Sequence, residues 1–322
     1  MRAIQITETG GPEVMVYREL PTPEPGPGQV LIQIEACGVN FIDVYQREGR
    51  YAVPLPFVPG QEAAGTVIAL GPDVTSAKVG DRVAWCHVMG AYAEYAVAPV
   101  SKLIAIPEGI STPQAAAAML QGMTAHYLAH STYAIQRGDD VLIHAGAGGV
   151  GLLLIQMAKH LGARVLTTVS TEEKAALAHR AGADETILYA REDFAAKVRE
   201  LTGGRGVPVI YDSVGKTTFE KSLNCLRPRG LMALFGQSSG PVPPFDPTVL
   251  NGKGSLFLTR PSLGHYVMTR EELLWRANDV LGWVSQGKLK IRIHRTYPLA
   301  EAAQAHRDLE SRQTAGKLLL VG

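Results

Sequence analysis

Cysteine is nearly absent: Cys37, Cys86 and Cys225 are the only three in 322 residues. They are far apart and form no C-x-x-C pair, which excludes a disulfide framework or a zinc ribbon and suits a reducing cytoplasm. Charge of one sign is missing too. The 31 Lys and Arg against 30 Asp and Glu leave a net charge of +1, with no electrostatic footprint for nucleic acid or an anionic membrane. No apolar run reaches the length of a bilayer span. No basic segment followed by an apolar stretch opens the chain, so no secretory leader is expected. Internal repeats and low-complexity tracts are lacking, and the one proline-rich stretch, Pro21–Gly28, reads as a short rigid connection. What remains is 46% hydrophobic and 19% charged, the composition of a globular enzyme long enough for two domains.

The most informative stretch runs from Asp140 to Gly151. Val141, Leu142 and Ile143 suit a buried parallel strand. Gly146, Gly148 and Gly151 follow in G-x-G-x-x-G spacing, and Leu152–His160 has the apolar positions of a packed helix. Strand, glycine turn and helix in that order point to a dinucleotide site. Gly146 is expected to make the sharp turn, Gly148 to let a pyrophosphate approach, and Gly151 to bring the helix close to the sheet. The amides at the helix start then face the phosphates. The next strand, Ala163–Ser170, ends in Thr168, Val169 and Ser170 without the acid that binds a ribose diol. Lys174 lies one helical turn on. A hydroxyl and an ammonium suit a 2′-phosphate, so the cofactor is read as NADPH. Glu172 and Glu173 oppose that reading unless they serve the first turn of a helix beginning after Ser170.

Before Ser111 the chain reads as short strands with little helix: Met1–Ile6, Gln29–Ala36, Gly60–Leu70, Asp81–Trp85 and Ala93–Val97. Ser111 or Thr112 caps a helix with Pro113 at its first position. From Gly138 strands and helices alternate. The strands are 141–144, 164–169, 185–188, 209–212, 230–235 and 255–259. The helices are 172–181, 194–201 and 217–225. That alternation predicts a doubly wound parallel sheet. The tail, with a helix over 270–286, a strand over 289–297, a short helix over 299–309 and a strand over 316–321, is too small for a domain and is expected to complete the front β domain.

These features resemble the medium-chain dehydrogenase/reductase superfamily over essentially the whole length. Within it the chain is similar to the zinc-independent quinone oxidoreductases, the group that includes zeta-crystallin. The motifs are Gly38–Tyr45, Pro59–Val67, Ala145–Gly151 and Thr314–Lys317. The resemblance implies an α/β fold, a Rossmann sheet over 123–264 plus a GroES-like β-barrel domain from 1–122 and 265–322. It also implies a homodimer, formed through the 255–259 edge strand, in the cytoplasm. In zinc dehydrogenases of the superfamily Cys, His and Cys or an acid hold the catalytic metal. Here Asn40, Gln61 and Gln121 stand in those places, and amides are poor zinc ligands. No metal is therefore expected. Without a Lewis acid, an acceptor that is already electrophilic, such as a quinone, is the natural substrate.

The same resemblance assigns site residues. Asn40, Asp43 and Tyr45 would lie beside the nicotinamide and its ribose, and Gln121 and Thr124 near the nicotinamide. Gly149 and Val150 would offer amides to the pyrophosphate. Ser170, Lys174 and Tyr189 would surround the 2′-phosphate. Ser213 and Gly215, Phe235, Gly236 and Ser238, and Phe257 with Thr259 follow successive strand ends, and Lys317 would reach the cofactor from the tail. Tyr45, with Asn40, is the candidate to hydrogen-bond the acceptor oxygen. Plainer roles stay open: Asp43 bracing a turn, Tyr189 and Phe235 packing, Ser213 capping a helix, and His126, His130 and His144 as ordinary packed residues. Two other functions compete: an NADPH-dependent reductase of enones or enoyl thioesters, and an RNA-binding crystallin-like protein, which the near-zero charge disfavours.

Overall fold

The computed structural model describes residues 1–322. In chain order the front part comprises β1 (Arg2–Gln5), β2 (Val16–Glu19), β3 (Gln29–Val39), α1 (Phe41–Arg47), β4 (Glu62–Leu70), β5 (Arg82–Cys86), β6 (Tyr95–Pro99) and β7 (Ile104–Ala105). Helix α2 (Thr112–Tyr127) ends in a π turn over Leu128–Thr132. The alternating part follows: β8 (Asp140–Ile143), α3 (Gly149–His160), β9 (Arg164–Val169), α4 (Glu172–Ala181), β10 (Glu185–Leu188), α5 (Phe194–Leu201), β11 (Val207–Asp212), α6 (Phe219–Leu223), β12 (Leu226–Leu234), α7 (Thr248–Gly252), β13 (Phe257–Thr259) and α8 (Leu263–Tyr266). The tail is α9 (Arg270–Ser285), β14 (Ile293–Pro298), α10 (Ala302–Glu310) and β15 (Lys317–Val321). No helix is long and apolar enough to cross a membrane. The chain divides into two compact units, Met1–Met123 with Val267–Gly322, and Thr124–Tyr266.

The second unit is built on six strands in the order β10-β9-β8-β11-β12-β13, all parallel. The order reverses between β8 and β11, the topological switch point at which such sheets bind ligands. Val141, Leu142 and Ile143 are fully buried, as a central strand covered on both faces requires. The core of this unit is apolar, around Leu142, Leu166, Ile187, Val198, Ile210 and Met232.

The first unit holds a seven-stranded sheet in the order β14-β15-β3-β4-β5-β7, with β6 also paired to β3. The tail strand β15 pairs antiparallel with β3, so the tail completes the front sheet as expected. Trp85, Tyr92 and Tyr297 are buried among the aliphatic residues of β3, β4 and β15.

The expectation of little helix in the front part misses α1. Phe41, Ile42, Val44 and Tyr45 favour strands by intrinsic preference. Here the helix start overrides that preference. Asn40 is extended (φ −137°, ψ 155°) at the N-cap, and the Asp43 carboxylate accepts its N–H at 2.9 Å. Asp43 through Arg47 are then all buried.

Candidate active site

All six strands of the second unit run the same way, so the segments that follow their carboxyl ends share one edge of the sheet. The turn after β8 departs from the expected division of labour. Ala145, not a glycine, takes the left-handed backbone (φ 53°). Gly146 supplies room: a Cβ there would stand 2.0 Å from Thr167 Oγ1 on β9. A Cβ on Gly151 would stand 2.4 Å from the Ala145 carbonyl oxygen, so Gly151 packs the start of α3 against the turn. Gly148 is the extended N-cap of α3, and a Cβ on it would meet only the Ala145 oxygen, at 3.1 Å. The capping bond of α3 runs from Leu152 N–H to Gly148 O at 2.9 Å. The amides of Gly149, Val150 and Gly151 therefore precede it and lack intrahelical acceptors. That is the donor set a pyrophosphate needs.

Ser170 follows β9 and is half-buried. Thr171 caps α4 by accepting the Lys174 N–H at 3.3 Å, which puts Lys174 in the helix's first turn. The two acids beside it serve that helix start. Glu172 pairs with Arg191 at 2.9 Å, and Glu173 has its carboxyl pKa lowered by its own backbone amide and the Thr171 side chain. Tyr189, after β10, is 47% exposed and its N–H reaches Val169 O at 3.3 Å, so Ser170 and Tyr189 follow neighbouring strand ends. After β11, the buried Asp212 carboxylate accepts from Val214 N–H (2.6 Å), Gly215 N–H (3.0 Å) and Thr218 Oγ1 (2.6 Å). Phe235 and Ser238 N–H donate to the carbonyls of Asp212 and Ser213 at 2.8 and 3.1 Å, and a Cβ on Gly236 would stand 2.5 Å from the Ser213 oxygen. These bonds bring Ser213, Gly215, Phe235, Gly236 and Ser238 together. Ser213 does not cap α6, whose N-cap is Thr218. Phe257 is displaced from this group: it stands 60% exposed at the amino end of β13, two residues before Thr259. Thr124 lies on α2 and is buried. His144 is a packed residue, held between Thr168 Oγ1 (2.8 Å) and Ser222 Oγ (2.9 Å), and burial lowers its pKa.

The first unit gathers charge in its interior. Asn40 Nδ2 donates to Gly38 O (3.3 Å) and Glu62 Oε2 (2.8 Å). Its Oδ1 accepts from Lys317 Nζ (2.8 Å) and Gln121 Nε2 (3.4 Å). Two donors and two acceptor sites exhaust an amide. The Asn40 amide is therefore held in one orientation by the cluster, and a ligand that bonds it would exchange with its longest contacts, Gly38 O or Gln121 Nε2. Lys317 differs from expectation. Its side chain is 1% exposed and is ion-paired to Glu62, itself fully buried. Asp43 is fully buried as well. Its Oδ2 accepts from Asn40 N–H and from Tyr92 Oη at 3.1 Å, so it braces the α1 turn instead of facing a ligand.

A directed chain of hydrogen bonds runs back from Asp43. Arginine only donates, so Arg47 Nη1, 3.1 Å from His306 Nδ1, makes that nitrogen the acceptor. The proton then sits on Nε2 and is donated to Tyr92 Oη at 3.1 Å, leaving the Tyr92 proton for Asp43. Arg47 is anchored in turn by both oxygens of Glu310 at 2.9 and 3.0 Å. Burial pushes the Asp43 carboxyl up to about 7, against the Asn40 amide and the Lys317 ammonium. Burial, then Arg47, hold His306 down at about 3, so it is neutral.

Tyr45 is 5% exposed, its ring 5.4 Å from Tyr51 and 6.1 Å from Phe41, with the Arg50 guanidinium 5.6 Å from its centroid. Burial raises the thiol pKa of Cys37, Cys86 and Cys225, the last to about 12, so none is a ready nucleophile. No group of three His, Cys, Asp or Glu is placed to hold a metal ion. Sequence reasoning missed Glu62, Tyr92, His306 and Arg47. The available signal was a charge or His inside an otherwise apolar stretch, as with Lys317 ahead of Leu318–Leu320.

Two family models match the chain, an alcohol dehydrogenase GroES-like domain over residues 26–108 and a zinc-binding dehydrogenase over residues 149–274. A quinone oxidoreductase of Pseudomonas aeruginosa is 48% identical over 99% of both chains. A 2-haloacrylate reductase of a Burkholderia species is 45% identical over 99% of this chain and 98% of its own. The crystal structure of Escherichia coli quinone oxidoreductase complexed with NADPH superimposes with a TM-score of 0.98 at 44% identity, over 100% of both chains. With the parallel sheet, the glycine turn and the returning tail in place, the chain belongs to the quinone oxidoreductases of the medium-chain dehydrogenase/reductase superfamily.

Proposed function

We infer that the protein is an NADPH-dependent quinone oxidoreductase. The observation that carries the cofactor is the carboxyl edge of the parallel sheet. Acceptor-free amides of α3 stand beside a glycine N-cap, and the neighbouring strand β9 ends at Val169 and is followed by Ser170, with no carboxylate at the strand end for a ribose diol and with Lys174 in the first turn of α4. The E. coli relative is complexed with NADPH, and full-length relatives carry the quinone oxidoreductase name. When bound, NADPH supplies the hydride. The chain's own residues bind and orient: the α3 amides take the pyrophosphate, Ser170 and Lys174 the 2′-phosphate, and Tyr189 packs on the adenosine. Tyr45 donates a hydrogen bond to the acceptor oxygen, and Asn40, oriented by its cluster, lies beside the nicotinamide. The amides of Asn40, Gln61 and Gln121 hold no zinc, so the acceptor is one that needs no Lewis acid. Stoichiometric zinc by elemental analysis, with activity lost on chelation, would reverse this.

The protein acts in the cytoplasm as a homodimer. Its β13 is an edge strand with an exposed Phe257, which pairing with a second copy would cover. Light scattering at micromolar concentration checks this, and a 34.5 kDa species would refute it. Reduction of an activated alkene is the second reading, favoured by the Burkholderia relative. Arg47, which a thioester phosphate could have used, is buried against Glu310, and Arg50 pairs with Glu48 at 2.7 Å. That counts against a coenzyme A channel there.

The deciding experiment is NADPH oxidation in parallel against 1,4-benzoquinone, 9,10-phenanthrenequinone, an enone and crotonyl-CoA, with NADH as control. Quinone turnover supports the conclusion, and enone or thioester turnover with weak quinone activity moves the protein to the alkene reductases. In the same assay Lys174→Ala is expected to weaken NADPH at least tenfold and NADH little; equal losses would remove Lys174 from the phosphate.

A further inference from the structure

The tail strand ends its loop on a lysine that faces inward. Strand β15 pairs with β3 as Leu318 with Val39 and Leu319 with Gly38, and continuing that register sets Lys317 across from Asn40. On the other side β3 pairs with β4 as Cys37 with Ala63, which sets Gly38 across from Glu62. Three neighbouring strands therefore deliver an ammonium, an amide and a carboxylate to one buried point. Gly38 is the gap they fill: a Cβ there would stand 2.1 Å from Glu62 Oε2 and 2.6 Å from Lys317 Nζ.

The pair does more than neutralise itself. Glu62 Oε2 takes one Asn40 Nδ2 proton while Lys317 donates to Asn40 Oδ1. A carboxylate requires a donor and an ammonium an acceptor, so the two charges fix which way the Asn40 amide faces. The other Glu62 oxygen, Oε1, accepts the N–H of Leu120 in α2 at 2.5 Å. Leu120 precedes Gln121, whose Nε2 reaches Asn40 Oδ1. Asn40 by its side chain, and Gln121 by its side chain and its neighbour's backbone, are thus both referenced to one ion pair.

We propose that Lys317 and Glu62 are positioning residues for the reductase reaction, acting through Asn40 and Gln121 and touching neither cofactor nor acceptor. This rests on the quinone reductase reading. Lys317 is 1% exposed and two of its three donors are spent inside the cluster. The resemblance that set Lys317 on the cofactor is thereby replaced by an indirect role. The pair also faces Asp43, whose carboxyl lies close enough for the Lys317 charge to act on it. Removing the ammonium alone leaves two buried carboxylates without their cation, whereas removing both charges of the pair leaves the surrounding fold close to balanced.

The test uses the full-length protein with NADPH and 1,4-benzoquinone. Lys317→Met, Glu62→Gln and the double variant are compared for kcat, for NADPH dissociation constant by fluorescence, and for Tm without cofactor. Lys317→Met is expected to lower kcat at least tenfold with the NADPH dissociation constant within threefold of wild type, and to lower Tm. The double variant is expected to recover most of the Tm while kcat stays low, and it keeps the test decisive if a single variant does not fold. Recovery of kcat together with Tm would make the pair purely structural and overturn the proposal. An NADPH constant that rises as much as kcat falls would return Lys317 to the cofactor, which also overturns it. A wild type that reduces an enone and no quinone would displace the parent reading alone; the same variant ratios, taken with that acceptor, still decide the role of the pair.

Discussion

The two units place their polar groups in opposite ways. In the unit of residues 124–266 the core between the strands and helices is apolar, and His144, buried behind β8, is satisfied by two hydroxyls. Its candidate ligand groups are amides and side chains in the segments beyond the strand ends. In the unit formed by residues 1–123 and 267–322, ionisable groups lie inside: Lys317, Glu62, Asp43, Arg47 and His306 are all buried. The difference follows from sheet type. Parallel strands covered by helices on both faces leave little interior room for charge; the buried carboxylate of this unit, Asp212, sits at the last position of β11, where loop donors reach it, and the open strand ends are the natural place for ligands. A mixed sheet completed by a tail strand, whose Lys317 bonds Asn40 across 277 residues, has junctions where several strands meet a helix end, and there a densely hydrogen-bonded polar cluster fixes register and contact. The lesson is that side-chain burial means different things in the two halves: in one it marks packing, in the other it marks wiring.

The comparison breaks most sharply if the interior charges prove dispensable. Glu62→Ala leaves the Lys317 ammonium buried without its carboxylate, and is expected to cost about 3–5 kcal/mol. The surface pair of the other unit, Glu172 with Arg191, has side chains 63% and 70% exposed, and Glu172→Ala should change stability by about 1 kcal/mol or less. Urea unfolding of both variants checks this. Equal costs would mean that the interior cluster is no more than a solvated pair drawn inward.

Titration sharpens the same contrast with two groups of opposite sign. Asp43 has a raised folded pKa of about 7. The native state therefore holds a proton that the unfolded chain releases near 3.8, and stability falls as pH rises through that window. His306 has a lowered folded pKa of about 3. The unfolded chain binds a proton near 6.5 that the native state refuses, so stability rises as pH goes up from about 3 to 6.5. Across pH 4 to 6.5 the two slopes oppose each other. Asp43→Asn is expected to make stability increase with pH there more steeply than in wild type, and His306→Gln to make it decrease relative to wild type. Unfolding midpoints at four pH values measure this, and slopes that move in the same direction in both variants would show that the hydrogen-bonded chain does not link them.

What the sequence made legible follows the same division. Strand β9, strand β10, α4 and α5 are found at the expected residues, because alternating strands and helices announce themselves through local period and caps. The glycine turn is also legible in place, though the roles shift: Ala145 bends the chain while Gly146 makes space beside Thr167. Contact across a turn is not written in spacing. Helix α1 is hidden by strand-favouring side chains, and only the Asn40-x-x-Asp43 spacing signals a helix start. The ion pair of Glu62 and Lys317 spans 255 residues. No local pattern pairs them, so the interior cluster becomes visible only once β15 is seated against β3. Asn40 is legible in sequence as a site residue beside the nicotinamide, but its bonds to Glu62 and Lys317 are not.

The smallest effect on the fold belongs at the sheet edge, and it is the cleanest check that this edge is for ligands. Tyr189 is 47% exposed and follows β10 at the margin of the sheet. The backbone there is held by its N–H to Val169 O, a bond that any side chain preserves. Tyr189→Ala removes an aromatic face without opening a cavity or stranding a buried polar group, so unfolding should move by only about 0.5 kcal/mol. If the ring packs on the adenosine, the NADPH dissociation constant rises several-fold all the same, read by fluorescence titration. A loss of stability above about 2 kcal/mol with unchanged NADPH binding would make Tyr189 a packing residue, and the edge of the parallel sheet would then resemble the interior it has been contrasted with.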